Sequence, residues 1–281
     1  MGVVLIRVAI RFDDPSPDSQ RGLEEGIIDL LGSEGVSATF AIVPFSETHG
    51  GSLSLDEVNS AHLLAAQRLG IVEIALHGHS HKRHNSEGFP SEFFGLSLAR
   101  QTALLSAAAA HLRSLFGAES VHGFVPPWNS YDATTLHATA GLGFYYLSAG
   151  NWYPPGYAGP LAILPRTCQF TALESAIAEA RRFAGLDPHV VAVLHHYDFR
   201  ESGEPGANLD LPAFARRLAW LRQQPDVQVM RLDDMVASSR FGALARPFKG
   251  LIRKEHLPWR LRLRLPTQCL VDAPLWRQLL A

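Results

Sequence analysis

Four short motifs in this 281-residue chain bring together side chains that ligate metals or move protons, and each directly follows a stretch that reads as a buried β-strand. Asp13 and Asp14 follow residues 3–12. His77-Gly78-His79-Ser80-His81 follows residues 71–76. Pro126-Pro127-Trp128-Asn129 follows residues 121–125, and His195-His196-Tyr197-Asp198 follows residues 190–194. Four of the thirteen histidines fall within residues 77–84, a concentration that scattered surface histidines would not produce. His77 and His81 are four apart; on a helical turn that spacing puts both imidazoles on one face, where they can grip one ion. A carboxylate from Asp13 or Asp14 would complete a His-His-Asp set with positions left for water, the mark of a catalytic rather than a structural metal site. Cysteine contributes nothing to such a site. Cys168 and Cys269 are the only two, about a hundred residues apart, which excludes a disulfide framework and a zinc-thiolate cluster.

The elements that must position these residues alternate. Apolar, β-branched runs at residues 3–12, 37–45, 71–76, 121–125, 144–147, 161–164, 190–194 and 227–232 read as strands. Helical spacing at residues 23–31, 99–116, 134–139, 173–183 and 211–221 fills the gaps. Ser54-Leu55-Asp56-Glu57 reads as a capping box that opens a further helix to about residue 69. Strand and helix in repeated alternation imply a parallel sheet, either a (β/α) barrel or an open doubly wound sheet. Both place their chemistry at the carboxyl ends of the strands, which is where the four motifs fall.

Composition narrows the field further. Hydrophobic residues make up 47% and charged residues 19%, an ordinary globular balance that excludes wholesale disorder. The net charge of −2 argues against a nucleic-acid partner. The start, MGVVLIRVAIRFDD, has no basic leader or cleavage site, and no stretch is apolar enough to span a bilayer, so the expected compartment is the cytoplasm. From about residue 238 the balance changes: residues 238–281 hold nine Lys or Arg against two acids. Two domains are therefore expected, a barrel over residues 1–237 and a basic extension over 238–281. Arg260 to Leu265 alternates with period two. It reads as an extended segment packed on the barrel by its leucines, or as a peripheral contact with an anionic membrane surface or substrate.

The motifs also carry a resemblance. Arg11-Phe12-Asp13-Asp14, His77-Gly78-His79-Ser80-His81, residues 124–132 (FVPPWNSYD) and Val193-Leu194-His195 resemble, in order and spacing over about residues 5–235, the successive motifs of the polysaccharide deacetylase family, which includes chitin and peptidoglycan deacetylases. The resemblance implies an irregular (β/α) barrel of about seven strands. It implies Asp14, His77 and His81 as metal ligands, Asp13 as general base, His195 as general acid, and the Trp128 N–H as a donor to the oxyanion. Zinc is the first expectation for the ion, and imidazole and carboxylate ligands suit other divalent transition ions too. The implied activity is metal-dependent removal of an N-acetyl or O-acetyl group from a sugar, an oligosaccharide or a lipid-linked glycan. Pro126, Pro127, Asn129, Tyr131, Trp152 and Arg166 are the expected substrate contacts, with Trp128, Tyr131, Trp152 and Tyr153 as a sugar-stacking wall.

This chain departs from the family pattern at informative places. Val125 stands where the family usually has an Arg that orients the base; Arg11 and Arg166 are the candidates to replace it. Asn151-Trp152 stands near where an Asp-Trp pair is usual, and Trp128-Asn129 replaces a more usual Tyr-Gly. These departures motivate the alternative of a non-catalytic barrel that keeps a metal and binds glycan. Other readings lack residues: Gly78-His79-Ser80-His81 resembles the close of a metallophosphoesterase motif, but no early Asp-x-His precedes it, and Gly141-Leu142-Gly143 lacks the third glycine of a dinucleotide site.

Overall fold

The computed structural model describes residues 5–48, 51–150, 159–238 and 267–271. In chain order the elements are β1 (Ile6–Asp13), α1 (Arg21–Ser33), β2 (Ala38–Ile42), β3 (Phe45–Thr48), β4 (Gly51–Ser54), α2 (Ala61–Arg68) and β5 (Val72–Leu76). They continue with α3 (Leu98–Phe116), β6 (Val121–Phe124), α4 (Ala133–Gly141), β7 (Tyr146–Leu147), β8 (Ala162–Ile163) and β9 (Cys168–Gln169). The last are α5 (Leu173–Arg181), β10 (His189–His195), α6 (Leu211–Arg222), β11 (Val227–Met230) and α7 (Leu232–Ser238).

The main sheet runs β8-β7-β6-β5-β2-β1-β10-β9, and every ladder in it is parallel. β1, β2, β5 and β10 are buried along almost their whole length, as strands covered on both faces must be. β1 is the hub. One edge pairs with β10 over its whole length; the other is shared, with β11 on Ile6 to Ala9 and β2 on Arg11 to Asp13. The two ends of the sheet, β8 and β9, are nearly consecutive in the chain. Residues 164–167 cross between them: Leu164 N–H donates to Leu147 O, Arg166 N–H to Ala149 O and Thr167 N–H to Val191 O. The curled sheet thus forms an irregular, incompletely closed (β/α) barrel whose unpaired ends are spanned by this stretch of chain, and the expected fold class is the one observed.

The sequence-predicted elements recur with shifted ends, and one is corrected. Residues 54–69 do not form one helix from a capping box at Ser54. Ser54 ends a β-hairpin of β3 and β4, and the Asp56 side chain accepts from the N–H groups of Val58 and Asn59, holding a turn that delays the helix to Ala61. A capping box does form at α4, where Asp132 and Thr135 exchange side-chain and backbone hydrogen bonds. The expected domain boundary falls at the end of α7. Of the basic extension, residues 239–266 and 272–281, including Arg260 to Leu265, lie outside the described residues. Residues 267–271 pack on the barrel: Leu270 bridges His189, Cys269 and Val271 are buried, and Thr267 N–H donates to Glu179. Among the described residues no helix is long and apolar enough to cross a membrane.

Buried polar side chains sit among apolar ones inside the barrel. Towards the amino ends of the strands, Glu73 on β5 accepts from the Tyr146 hydroxyl at 2.5 Å and the Thr39 hydroxyl at 2.6 Å, while Thr39 Oγ1 caps the start of α7 by accepting the Leu232 N–H. The Tyr146 ring lies over Gly123, where a Cβ would sit 1.9 Å from the ring, so no other residue fits there. Burial, helped by the charge of Asp233, pushes the Glu73 carboxyl up to about 8 from 4.5, against its hydrogen bonds. An acid raised in this way is protonated in the folded chain and ionised in the unfolded one between those values. Folding therefore takes up a proton, and stability falls as pH rises through that window. We expect the melting temperature to drop by about 5 °C or more between about pH 5 and pH 9, and Glu73→Gln to flatten the profile. A wild-type profile as flat as the variant's in thermal unfolding would count against a protonated Glu73.

Candidate metal centre and active site

All strands of the main sheet point the same way, so their carboxyl ends gather the motifs at one mouth. Asp14 lies just past β1 in the left-handed region, at φ +80°, a conformation that non-glycine residues hold only under local constraint. Its Oδ1 is 3.0 Å from His77 Nε2 and 3.5 Å from His81 Nε2. The spacing of the two histidines works differently from the expected helical turn. Residues 77–81 are a loop, bent by positive φ at Gly78 and His81. Glu92, which the sequence did not flag, holds this loop by accepting the N–H groups of His79 at 3.0 Å and Ser80 at 2.8 Å. A Cβ on Gly78 would lie 2.2 Å from the Glu92 carboxylate and 2.5 Å from Pro127, so the close approach demands glycine.

Asp14, His77 and His81 offer one ligand atom each, all within 4.8 Å of one another. His77 Nδ1 faces the Val125 carbonyl at 2.8 Å; donating there leaves Nε2 with a lone pair, the usual outer support of a metal-binding imidazole. Asp14 Oδ1 is buried and, despite its closeness to both rings, has no hydrogen-bond partner among the described residues. A buried carboxylate oxygen facing two imidazole nitrogens in this manner fits a shared cation. The N, N, O set suits zinc and its neighbours and leaves positions open. Electrostatics agree. Burial would raise the Asp14 carboxyl, but the His77 contact and the charges of His77, His81 and His195 outweigh it and hold the acid well below the ordinary carboxylate range. Burial would lower His77, but its acidic neighbours raise it, whereas burial and the charge of His77 pull His81 down to about 4.

Asp13 stands beside this cluster, and Arg11 stands behind Asp13. Residues two apart on a strand share a face. Arg11 is wholly buried; its Nε and one Nη donate to the two Asp13 oxygens at 2.8 Å each. The other Nη donates to Ser148 Oγ at 2.8 Å, and Asn129 Oδ1 accepts a longer contact at 3.4 Å. Of the two candidates to replace the missing Arg at 125, Arg11 is the one paired with Asp13. Val125 itself is packed against Ala41 and Ala75 and contributes only its backbone.

His195 is the Cα partner of Asp13 in the β1–β10 ladder, and its Nε2 lies 3.7 Å from Asp13 Oδ2. Asp198 holds the imidazole from the other side: its Oδ2 accepts the His195 N–H at 2.8 Å and lies 3.4 Å from Nδ1. A three-residue spacing works here because a single 3₁₀ turn over residues 196–198 folds the acid back. The neighbouring His196 turns away, packs on Phe12 and meets Glu24 at 2.8 Å; Glu24 also meets His62 at 2.6 Å and Ser19 at 2.5 Å. This buried group ties α1 and α2 to the end of β10, and nothing in the spacing of Glu24 announced it.

The remaining expected contacts divide. Trp128 is 37% exposed at the mouth, with φ +54°, and its ring lies 4.3 Å from that of His81. Asn129 is partly exposed beside Arg11, and Arg166 is close enough for its charge to act on Tyr197. Pro126 and Pro127 are buried, Pro127 under Gly78. Tyr131 is not part of a rim wall: at 1% exposure it belongs to the core, one residue before the Asp132 cap that turns the chain inward. Trp152 and Tyr153 lie outside the described residues.

Fold and cluster together define a parallel (β/α) barrel with an Asp-His-His centre of metal-binding geometry. The sequence model of the polysaccharide deacetylase family matches residues 6–147, half of the chain, and the chain belongs to that family. No curated protein matches it in sequence. Similar solved structures include a family 4 acetyl xylan esterase from Clostridium thermocellum in complex with a cobalt ion, at TM-score 0.52 and 16% identity over 82% of this chain and 90% of that one. Another is the Xyl-CE4 domain of a multidomain xylanase from the hindgut metagenome of Trinervitermes trinervoides, at TM-score 0.50 and 16% identity over 82% and 89%. A third is a peptidoglycan N-acetylglucosamine deacetylase bound to 4-naphthalen-1-yl-N-oxidanyl-benzamide, at TM-score 0.50 and 16% identity over 85% and 92%. At these identities the likeness speaks for the fold.

Proposed function

We propose that the protein is a metal-dependent carbohydrate deacetylase that hydrolyses an acetyl group from an N-acetylated or O-acetylated sugar, oligosaccharide or lipid-linked glycan. The observation that carries this reading is the pairing of Asp13 with His195 across adjacent strand ends, beside the Asp14, His77 and His81 cluster. A divalent ion held by those three residues, zinc first, would supply Lewis acidity and a water of lowered pKa. Asp13, fixed by the Arg11 fork, takes the proton of the attacking water. His195, steadied by Asp198, gives a proton to the departing amine or alcohol. The Trp128 N–H donates to the developing oxyanion; one such donor is typically worth about 3 kcal/mol. The pair of Arg11 and Asp198 favours a catalytic barrel over one that merely binds glycan, since both acid and base have orienting partners.

Acetate release from a panel of N-acetylated and O-acetylated sugars, run beside elemental analysis of the purified protein, tests the reading. Asp13→Asn is expected to keep its ion while turnover falls by about 10³-fold, within the usual range for a general base. A wild-type protein that binds metal and sugar yet releases no acetate from any member of the panel would favour the binding barrel.

A further inference from the structure

The turn that carries Asp198 back to His195 also lays Tyr197 flat against the His195 imidazole, with ring centroids 4.5 Å apart and planes within 15°. With His195 stacked against it, Tyr197 is still 50% exposed, so part of the ring stays open beside His195. The chain contains an internal comparison. Tyr145 stacks on His122 in almost the same way, 4.5 Å and 17°, and is 55% exposed, but it precedes β7 at the amino end of the barrel, away from the metal cluster. What distinguishes Tyr197 is its surroundings.

From this placement we infer that Tyr197 is a substrate-gripping, specificity-determining residue: its open face is the platform for the acetylated pyranose, and its hydroxyl donates to an oxygen of that sugar. The inference rests on the deacetylase reading of the same site and adds to it a six-membered sugar ring seated over His195, with Trp128 on the His81 side. Pyranose rings present C–H faces that pack on aromatic rings, and aromatic contacts with a polar tip suit a ligand that is apolar on its face and wet at its edge. The hydroxyl is a donor throughout the neutral range: burial and the nearby carboxylates of Asp198, Asp14 and Asp13 push it well above the usual phenol range. The ring belongs to the turn that seats Asp198 beside His195, at the carboxyl end of β10. A sugar oxygen there would meet a neutral donor instead of another negative charge.

The test uses the metal-loaded full chain and N,N′-diacetylchitobiose, with Kd measured by titration calorimetry and KM and kcat by acetate release. For Tyr197→Ala we expect Kd and KM to rise about tenfold or more with kcat within about threefold, and for Tyr197→Phe, which keeps the platform, recovery of most of that loss. Tyr145→Ala should match wild type. Unchanged Kd and KM in Tyr197→Ala would overturn the inference. So would a fall in kcat at constant Kd, which would make the ring a mere prop for His195, and so would failure of the wild-type protein to bind the disaccharide. Weakened binding in Tyr197→Ala alongside absent acetate release in wild type would leave the platform standing and remove the deacetylase reading.

Discussion

Asp14→Asn is expected to purify without its divalent ion and to lose about 10³-fold or more of kcat/KM for acetate release. Asp14 sits at φ +80°, and Asn is the residue that tolerates the left-handed region about as well as Asp, so the substitution spares the turn. What it removes is the negative charge, on the buried oxygen that faces both His77 and His81. A neutral amide oxygen beside two imidazoles is a much weaker site for a transition-metal ion. The several kcal/mol of transition-state stabilisation that such an ion supplies would go with it. His77→Ala should behave alike, but it also strips the Val125 carbonyl of its donor and so disturbs more than the ion. Elemental analysis with parallel acetate assays reads both effects. Full metal stoichiometry in Asp14→Asn would remove this cluster as the metal centre.

The second large effect concerns Arg11. Replacing it by Met leaves the Asp13 carboxylate buried, 2% exposed, without its two-pronged partner. Breaking a buried pair from one side typically costs about 3–5 kcal/mol, because the remaining charge is left uncompensated. For a domain of this size that corresponds to a fall in melting temperature on the order of 10 °C. Arg11→Lys should recover little, since one ammonium cannot serve both Asp13 oxygens and Ser148 in the geometry of a planar fork. The diagnostic variant is the double substitution Arg11→Met with Asp13→Asn. Removing the stranded charge should restore part of the lost stability, although the double variant remains inactive. Thermal unfolding by circular dichroism measures all three. A single variant within about 2 °C of wild type, or a double variant no more stable than Arg11→Met alone, would mean that the pair is not what holds the strand end.

Much of the fold was legible in the sequence because parallel strands buried on both faces are nearly continuous apolar runs, and β1, β5 and β10 appear as such. The short strands β7, β8 and β9, two residues each, carry too little pattern for their ends to be read. The helix expected from Ser54 failed because the Asp56 side chain competes for backbone N–H groups and holds a turn, a choice that composition alone does not reveal. Tyr131 was misassigned to the rim for a related reason: an aromatic beside polar residues looks alike in sequence whether the chain turns in or out.

By itself the sequence determined which residue types end the strands, and hence that carboxylates, imidazoles and a Pro-Pro-Trp-Asn turn meet at one mouth of a parallel barrel. Strand direction and burial are local properties, encoded by runs of apolar side chains, and the residues after each run inherit their place from them. Only the tertiary structure decided the partners. That Arg11 rather than Arg166 grips Asp13, that Glu92 shapes the histidine loop, and that Asp198 and Tyr197 flank His195 depends on register between strands and on side-chain directions. Those are set by packing among segments far apart in the chain, and no local pattern records them.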